Sequence, residues 1–252
     1  MDEAPIHRAP PSILAAWRGF DGVPMETLTK AFVARTRGPR QRTIAEMEAD
    51  RARVGASGNC FDLAIWLHHR LTLAGVAASF VADDIASGDA HVAVIAEADG
   101  RAFLCDLGDM WLEPAAIDEA ITEPVAGLFP AAAITTTRRG SHLEVTYHRP
   151  GGKRSAQAYD LTPVAPARLL EAAADNQRTL AQRLVEVRAF AEGAHWEFHE
   201  YTSFWSTPAG KREEPPLADD AAWARRIAAR TGMDAGYVEA CLAAFRALTA
   251  PS

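Results

Sequence analysis

The sequence predicts an α+β fold in three parts: a helical N-terminal subdomain (residues 1–75), an antiparallel β region (76–162) that curls toward a small barrel, and a helical C-terminal part (163–252). Three observations predict it. Apolar residues at Cys60, Leu63, Ala64, Leu67, Leu71 and Ala74 recur with the spacing of one helix face. Asp99-Gly100 separates two β-prone runs, 90–98 and 101–106, and Asp-Gly in that setting is a strong hairpin signal. Beyond residue 163 the helical period returns. One stripe runs through Leu169, Ala173, Leu180, Leu184 and Val187; another, opened by Asp234, runs through Val238, Cys241, Leu242, Phe245 and Leu248.

Composition narrows the class. The 252 residues, 48% apolar and 23% charged, can bury a sizeable core and read as one compact chain of subdomains. A formal charge of −7 argues against a nucleic-acid partner, which usually meets a basic face. Met1-Asp2-Glu3 is not followed by a signal-like apolar segment, and no apolar run reaches the roughly 18 residues of a membrane span, so a cytoplasmic protein with no membrane span is expected. The three cysteines, Cys60, Cys105 and Cys241, lack metal-ligand spacing and leave one over, which predicts neither a metal site nor a disulfide framework.

In chain order, the first 11 residues, with Pro5, Pro10 and Pro11, read as a loose arm before Ser12 caps a short helix through Trp17. Pro24 suits a first helical position, so a second helix is expected through Leu28 and Phe32. Arg35 to Arg42 is a basic connection, either a solvated loop or a contact for phosphates. Thr43-Ile44-Ala45-Glu46 has the form of a capping box for a helix ending before Gly55. Gly58 and Asn59 halt the chain just ahead of the Cys60 stripe, and Gly75 ends that helix. Val76 to Ala82 reads as a strand, 83–89 as a polar turn, Ser141 to His148 as a strand, Gly151-Gly152-Lys153 as a turn and Arg154 to Asp160 as its return. Pro208 to Pro216 reads as a polar linker.

The chemistry gathers around Cys60. On the first turn of a helix, unpaired backbone amides and the positive dipole end favour a thiolate, the reactive form of sulfur. The alternative is a small buried hydrophobe, the usual fate of a free cysteine and the one expected for Cys241. A two-residue turn at Asp99-Gly100 sets Ala98 opposite Arg101, Ala93 opposite Asp106 and His91 opposite Gly108. Alternation then puts His91 and Asp106 on one face as diagonal neighbours, about 7–8 Å apart at the backbone, and Cys105 on the other. A histidine oriented by a carboxylate is what a cysteine nucleophile requires.

Other constellations are weaker. His195 and His199 have the i, i+4 spacing of a helical metal grip, but no glutamate follows His195 and no third ligand appears, so they read as rim histidines. His68 and His69, adjacent on the Cys60 helix, cannot share a face, and neither is the expected base. Tyr201 to Trp205 either lines a pocket or belongs to the core.

Cys60, His91 and Asp106, in that order, resemble the Cys-His-Asp triad of the arylamine N-acetyltransferases, within the papain and transglutaminase-like group. The resemblance takes in the glycine before a helix-opening cysteine, the His-Val-Ala-Val strand at 91–94 and Phe-Leu-Cys-Asp-Leu-Gly at 103–108. Upstream, Val23-Pro24-Met25-Glu26-Thr27-Leu28 is similar to that family's Ile-Pro-Phe-Glu-Asn-Leu. Roughly residues 10 to 115 are covered. Where the family motif reads Arg-Gly-Gly-x-Cys-x-Glu-x-Asn, this chain has Ala56, Ser57, Gly58, Asn59, Cys60, Phe61, Asp62, Leu63 and Ala64.

The resemblance implies acyl transfer through an acyl-cysteine on Cys60, with His91 as base and Asp106 orienting it. It implies acetyl-CoA or another acyl thioester as co-substrate, no permanently bound cofactor, and a small-molecule amine as acceptor. An acyl carrier protein is a further donor that the resemblance admits, since relatives include amide synthases of natural-product biosynthesis. The same triad serves an amidase or cysteine peptidase if water reaches the acyl-enzyme, and a non-catalytic binding protein is the third alternative.

Overall fold

The computed structural model describes residues 8–179 and 186–249. The arm expected at the N-terminus lies mostly outside the described residues, and Arg8 is bridged to Ala115 of the sheet. Helix α1 (Pro11–Trp17) opens on Pro11 with Pro10 at its cap, two residues ahead of the expected cap Ser12, because proline at the first position forfeits no helical hydrogen bond. Pro24 does not open a helix. Met25–Glu26 (β1) is a strand recruited by a partner far along the chain, and α2 runs Leu28–Arg37. Helix α3 (Ile44–Val54) carries the expected capping box: Thr43 Oγ1 accepts from the Glu46 amide at 3.3 Å and Glu46 Oε2 accepts from the Thr43 amide at 2.9 Å. Helix α4 (Cys60–Leu73) buries Phe61, Leu63, Ala64, Trp66, Leu67 and Leu71.

The middle of the chain forms an eight-stranded antiparallel sheet from β2 (Ala77–Asp83), β3 (His91–Ala98), β4 (Arg101–Cys105), β5 (Ala115–Ala116), β6 (Val125–Phe129), β7 (Ala132–Arg139), β8 (His142–His148) and β9 (Arg154–Val164), in the order β5-β4-β3-β2-β9-β8-β7-β6. The β3–β4 register is the expected one, with Ala98 opposite Arg101 and Val94 opposite Cys105. The β6–β7 hairpin has no counterpart in the sequence reading; it turns at Pro130-Ala131, where Ala131 takes φ 58° without a glycine to mark it. The segment after β4 reaches the far end of the sheet: the Leu112 amide donates to the Leu128 carbonyl of β6 at 2.9 Å and the Thr136 amide of β7 to the Ile121 carbonyl at 2.9 Å. These bonds curl the sheet toward a barrel.

The last third corrects one expectation. Helix α5 covers Pro166–Arg178, burying Leu169 and Ala173, but the stripe does not continue to Val187, and Leu180 and Leu184 lie outside the described residues. A second antiparallel sheet follows in place of a wholly helical part: β10 (Glu186–Ala191), β11 (Ala194–His199), β12 (Thr202–Thr207) and β13 (Gly210–Glu213), with β1 paired to β10. Burial here has period 2, at Val187 and Ala189, Trp196 and Phe198, Ser203 and Trp205. The supposed linker at 208–216 therefore contains a strand. Helices α6 (Asp220–Thr231) and α7 (Ala235–Thr249) complete the chain, with Asp234 Oδ1 accepting from the Tyr237 amide at 2.8 Å.

Two cores result. One lies between α1, α4 and the large sheet and includes Ile13, Phe61, Leu67, Val94 and Tyr159. The other joins Leu28 of α2 to the small sheet and α6–α7 through Trp196, Phe198, Trp223, Ile227 and Cys241. Cys60, His91 and Asp106 sit near where the two meet, by a cavity that α2 and β10 also line. Among the described residues no helix is long and apolar enough to cross a membrane.

Candidate active site

Cys60 occupies the first position of α4, and the cap that puts it there is complete. Asn59 Oδ1 accepts from the Phe61 amide at 3.1 Å and the Asp62 amide at 3.2 Å, while Asp62 Oδ2 accepts from the Asn59 amide at 3.2 Å. The residue before the cap must be glycine: Gly58 has φ +144°, and a Cβ there would lie 2.2 Å from Asp62 Oδ2 and 2.6 Å from Arg42 Nη2. Cys60 is partly exposed, whereas Cys105 and Cys241 are buried with their thiol pKa values pushed up by desolvation.

The ribbon delivers the other two groups. His91 begins β3 and Asp106 follows β4; His91 Nε2 lies 2.6 Å from Asp106 Oδ2. Asp106 is sealed, with 0% of its side chain exposed against 19% for His91. Its oxygens are filled: Tyr159 OH donates to Oδ2 at 2.6 Å and the Asp109 amide to Oδ1 at 2.9 Å. Burial disfavours a charged His91, but the charge and hydrogen bond of Asp106 outweigh it, with the nearby Cys60 acting in the same direction, so its pKa stands well above the ordinary 6.5. For Asp106 burial raises the pKa, and His91, Tyr159 and the Asp109 amide bring it below the usual value. The pair is therefore ionic at neutral pH.

Gly108 lets cysteine and imidazole meet. A Cβ there would fall 2.5 Å from Cys60 Cβ, 3.0 Å from Cys60 Cα and 3.2 Å from His91 Cε1. Gly108→Ala is accordingly expected to slow Cys60 alkylation on the order of 10²-fold, the cost of an ångström-scale misplacement. Alkylation kinetics beside a thermal melt check this; a wild-type rate in a folded variant would show that the three groups need no such close approach.

The approach to Cys60 is braced by residues that the sequence reading did not single out. Arg42, expected in a solvated or phosphate-binding connection, is buried: its guanidinium bonds the Ser57 carbonyl, with Nη2 3.2 Å from Asp62 Oδ2 and Nη1 3.4 Å from Asp50 Oδ2. Arg37 ends α2 and Arg40 pairs with Glu46. From the opposite side Glu26, fully buried, accepts from the Ser57 amide at 3.2 Å and the Thr29 amide at 2.8 Å, and its own amide donates to the Gly58 carbonyl at 2.8 Å. Burial keeps the Glu26 pKa raised despite those bonds. Where the resembled motif has arginine, buried Ala56 stands here, and the guanidinium arrives from Arg42.

A cavity of about 330 Å³ opens on Cys60 and His91. Its far wall is β10, where Arg188 Nη1 lies 3.1 Å from Asp109 Oδ1 and Nη2 lies 2.7 Å from Glu186 Oε1; Tyr147 OH donates to Asp109 Oδ2 at 2.5 Å. The other candidates stand apart. His195 and His199 lie on strand β11, where a spacing of four spans about 13 Å. His195 is buried and not at a rim; desolvation, with Arg188 and Arg149 nearby, pushes its pKa down to about 3. Among the described residues no three His, Cys, Asp or Glu side chains gather as metal ligands. His68 bonds the Ala78 carbonyl and stacks on Phe80, and Trp205 belongs to the second core.

No family model and no curated protein sequence matches the chain. Solved structures do. The arylamine N-acetyltransferase of M. smegmatis is 16% identical with a TM-score of 0.74, covering 96% of this chain and 94% of that one. The Mycobacterium marinum arylamine N-acetyltransferase in complex with CoA is 15% identical with a TM-score of 0.71 over 90% of each chain. The Bacillus cereus arylamine N-acetyltransferase with a Cys-His-Glu catalytic triad is 13% identical with a TM-score of 0.64, covering 88% of this chain and 90% of that one. The chain thus has the α+β fold of the arylamine N-acetyltransferases along nearly its whole length, including the C-terminal part that the sequence resemblance did not reach.

Proposed function

We propose that this chain is an acyltransferase that carries an acyl group on Cys60, from acetyl-CoA or another acyl thioester, and passes it to a small-molecule amine. The observation that carries the reading is a partly exposed thiol beside an imidazole that a sealed carboxylate holds charged, at the mouth of a cavity. The fold shared with arylamine N-acetyltransferases, one of them solved with CoA, supports the thioester donor.

In this mechanism His91 holds the Cys60 proton, and Sγ attacks the donor carbonyl. The bond from that carbon to the CoA sulfur breaks, and the departing thiolate takes the proton from His91. The amine then attacks the Cys60 thioester, its proton passes to His91, and from there to the Cys60 sulfur. Asp106 holds the ring in place throughout and steadies its charge whenever His91 carries the extra proton. Few first-turn amides are left for the oxyanion: Asn59 already occupies those of Phe61 and Asp62, which leaves the amide of Cys60 itself as the first-turn donor that the cap does not use.

Intact-mass measurement after mixing with acetyl-CoA is expected to show one added acetyl group on the wild type and none on Cys60→Ser, with the label discharged by an added amine. If acetyl-CoA and longer thioesters all leave the mass unchanged while an amide or peptide is cleaved, the protein is a cysteine hydrolase instead.

A further inference from the structure

We infer that Lys30 is a carboxylate-recognising residue of the Cys60 cavity, so that either the acyl group or the acceptor amine bears an anionic carboxylate. This rests on the acyl-transfer reading above and narrows its substrate class.

Lys30 stands in the first turn of α2 and lines the cavity with Cys60. Its Nζ donates to Asn176 Oδ1 at 3.3 Å, and Asn176 is fixed in turn by Asn59 Nδ2 at 3.0 Å and the Gly88 carbonyl at 3.3 Å. Among the described residues no carboxylate oxygen comes within the 4.0 Å of an ion pair with it. Arg188, the other cationic side chain in the lining besides His91, is satisfied by Glu186 and Asp109. A half-buried cation whose nearest negative groups, Cys60 and Asp62, do not reach ion-pair distance gains from a bound anion. The rest of the lining is polar: Thr27, Asn59, Gln157 and Asn176 stand beside four carboxylates, of which Asp109 and Glu186 pair with Arg188, Asp83 accepts from Gln157 Nε2 at 3.0 Å and Asp89 is exposed, and no Phe, Tyr or Trp is among the lining residues described. A flat apolar ring would meet little there to pack against.

The charges around the cavity that Lys30 lines are Cys60 and Asp62 at the head of α4, His91 and Asp109 across it, Asp83 at the end of β2, Asp89 in the turn before β3, and the Glu186–Arg188 pair on β10; α5 presents the neutral Asn176, and Tyr237 of α7 bonds Thr29 instead. Burial draws the Lys30 pKa down to about 8 against the pull of Cys60 and Asp62. The ammonium is present at neutral pH, and recognition fades as pH rises through 8.

The probes are iodoacetate and iodoacetamide, which alkylate Cys60 alike, forming the S–CH2 bond and releasing iodide, but differ by one carboxylate. Taking the ratio of their rates cancels any effect of Lys30 on the thiolate itself. At pH 7 the iodoacetate to iodoacetamide ratio is expected to fall about tenfold in Lys30→Met, to persist in Lys30→Arg, and in the wild type to decline as pH passes 8. That decline serves as the test should Lys30→Met fail to fold. An unchanged ratio overturns the inference. Transfer assays with succinyl against butyryl thioesters, and with 4-aminobenzoate against 4-methylaniline, place the carboxylate on donor or acceptor; equal rates within both pairs also overturn it. If no thioester acylates Cys60 the transferase reading fails, while the alkylation ratio still decides for or against Lys30.

Discussion

Asp106→Asn is expected to lower acyl transfer and Cys60 alkylation at neutral pH by on the order of 10³- to 10⁴-fold, as when the orienting acid of a triad is made neutral. The cause is specific to this site. Burial works against a charged His91, and the Asp106 charge is the largest influence that overcomes it. Remove that charge and desolvation is no longer outweighed, so the His91 pKa drops from well above 6.5 toward or below it. The imidazolium that pairs with a thiolate is then lost.

NMR titration of the ring in both proteins measures this directly. Stability should follow with a definite sign. Because the His91 pKa is raised on folding, its contribution is complete below 6.5 and disappears as pH climbs through the folded value. Because the Asp106 pKa is lowered, its contribution is present above 3.8 and disappears as pH falls through the folded value. Wild type and variant should therefore differ most between about pH 4 and 6.5 and converge in strong acid and strong alkali. A variant with wild-type turnover and an unmoved His91 titration would remove Asp106 from the mechanism.

Arg42→Met should have the largest effect on the fold, about 3–5 kcal/mol of destabilisation, the usual penalty for stripping one partner from a buried ionic network. Asp62, beneath the helix cap, would lose its ion pair with Arg42, and the Ser57 carbonyl its donor; Asp50 retains Arg53 at 2.9 Å. In a chain of this size that corresponds to a fall in Tm of about 10 °C. Arg42→Lys should rescue little, since one ammonium cannot reach the Ser57 carbonyl, Asp62 and Asp50 together. Because the braced loop leads straight to Cys60, alkylation should slow in both variants. Calorimetry beside alkylation kinetics checks the pair of effects, and a loss under 1 kcal/mol would show that the network is not what supports the loop.

How much of this could be read in one dimension depends on the range of the interaction. Gly58-Asn59 before a helical stripe placed Cys60 at the first position of α4, because capping acts over three residues. Asp99-Gly100 fixed a register in which His91 and Asp106 share a face, because a two-residue turn and strand alternation leave one geometry. The Leu169-to-Val187 stripe misled because its spacing suits a helix, whereas Val187 belongs to a strand whose turns, Glu192-Gly193 and Glu200-Tyr201, lack the usual Asn-Gly or Asp-Gly mark.

From sequence alone came the three groups proposed to react, the elements that carry two of them on one ribbon and the third on a helix tip, and the α+β class. Tertiary structure alone decided that Tyr159 fills Asp106 across 53 positions, that Arg42 and Glu26 clamp the loop before Cys60, and that Lys30 faces the same cavity as Arg188 of β10. Caps and turns are settled by neighbouring residues. Compensation of buried charge is settled by whatever the fold brings within a few ångströms, and no local pattern records it.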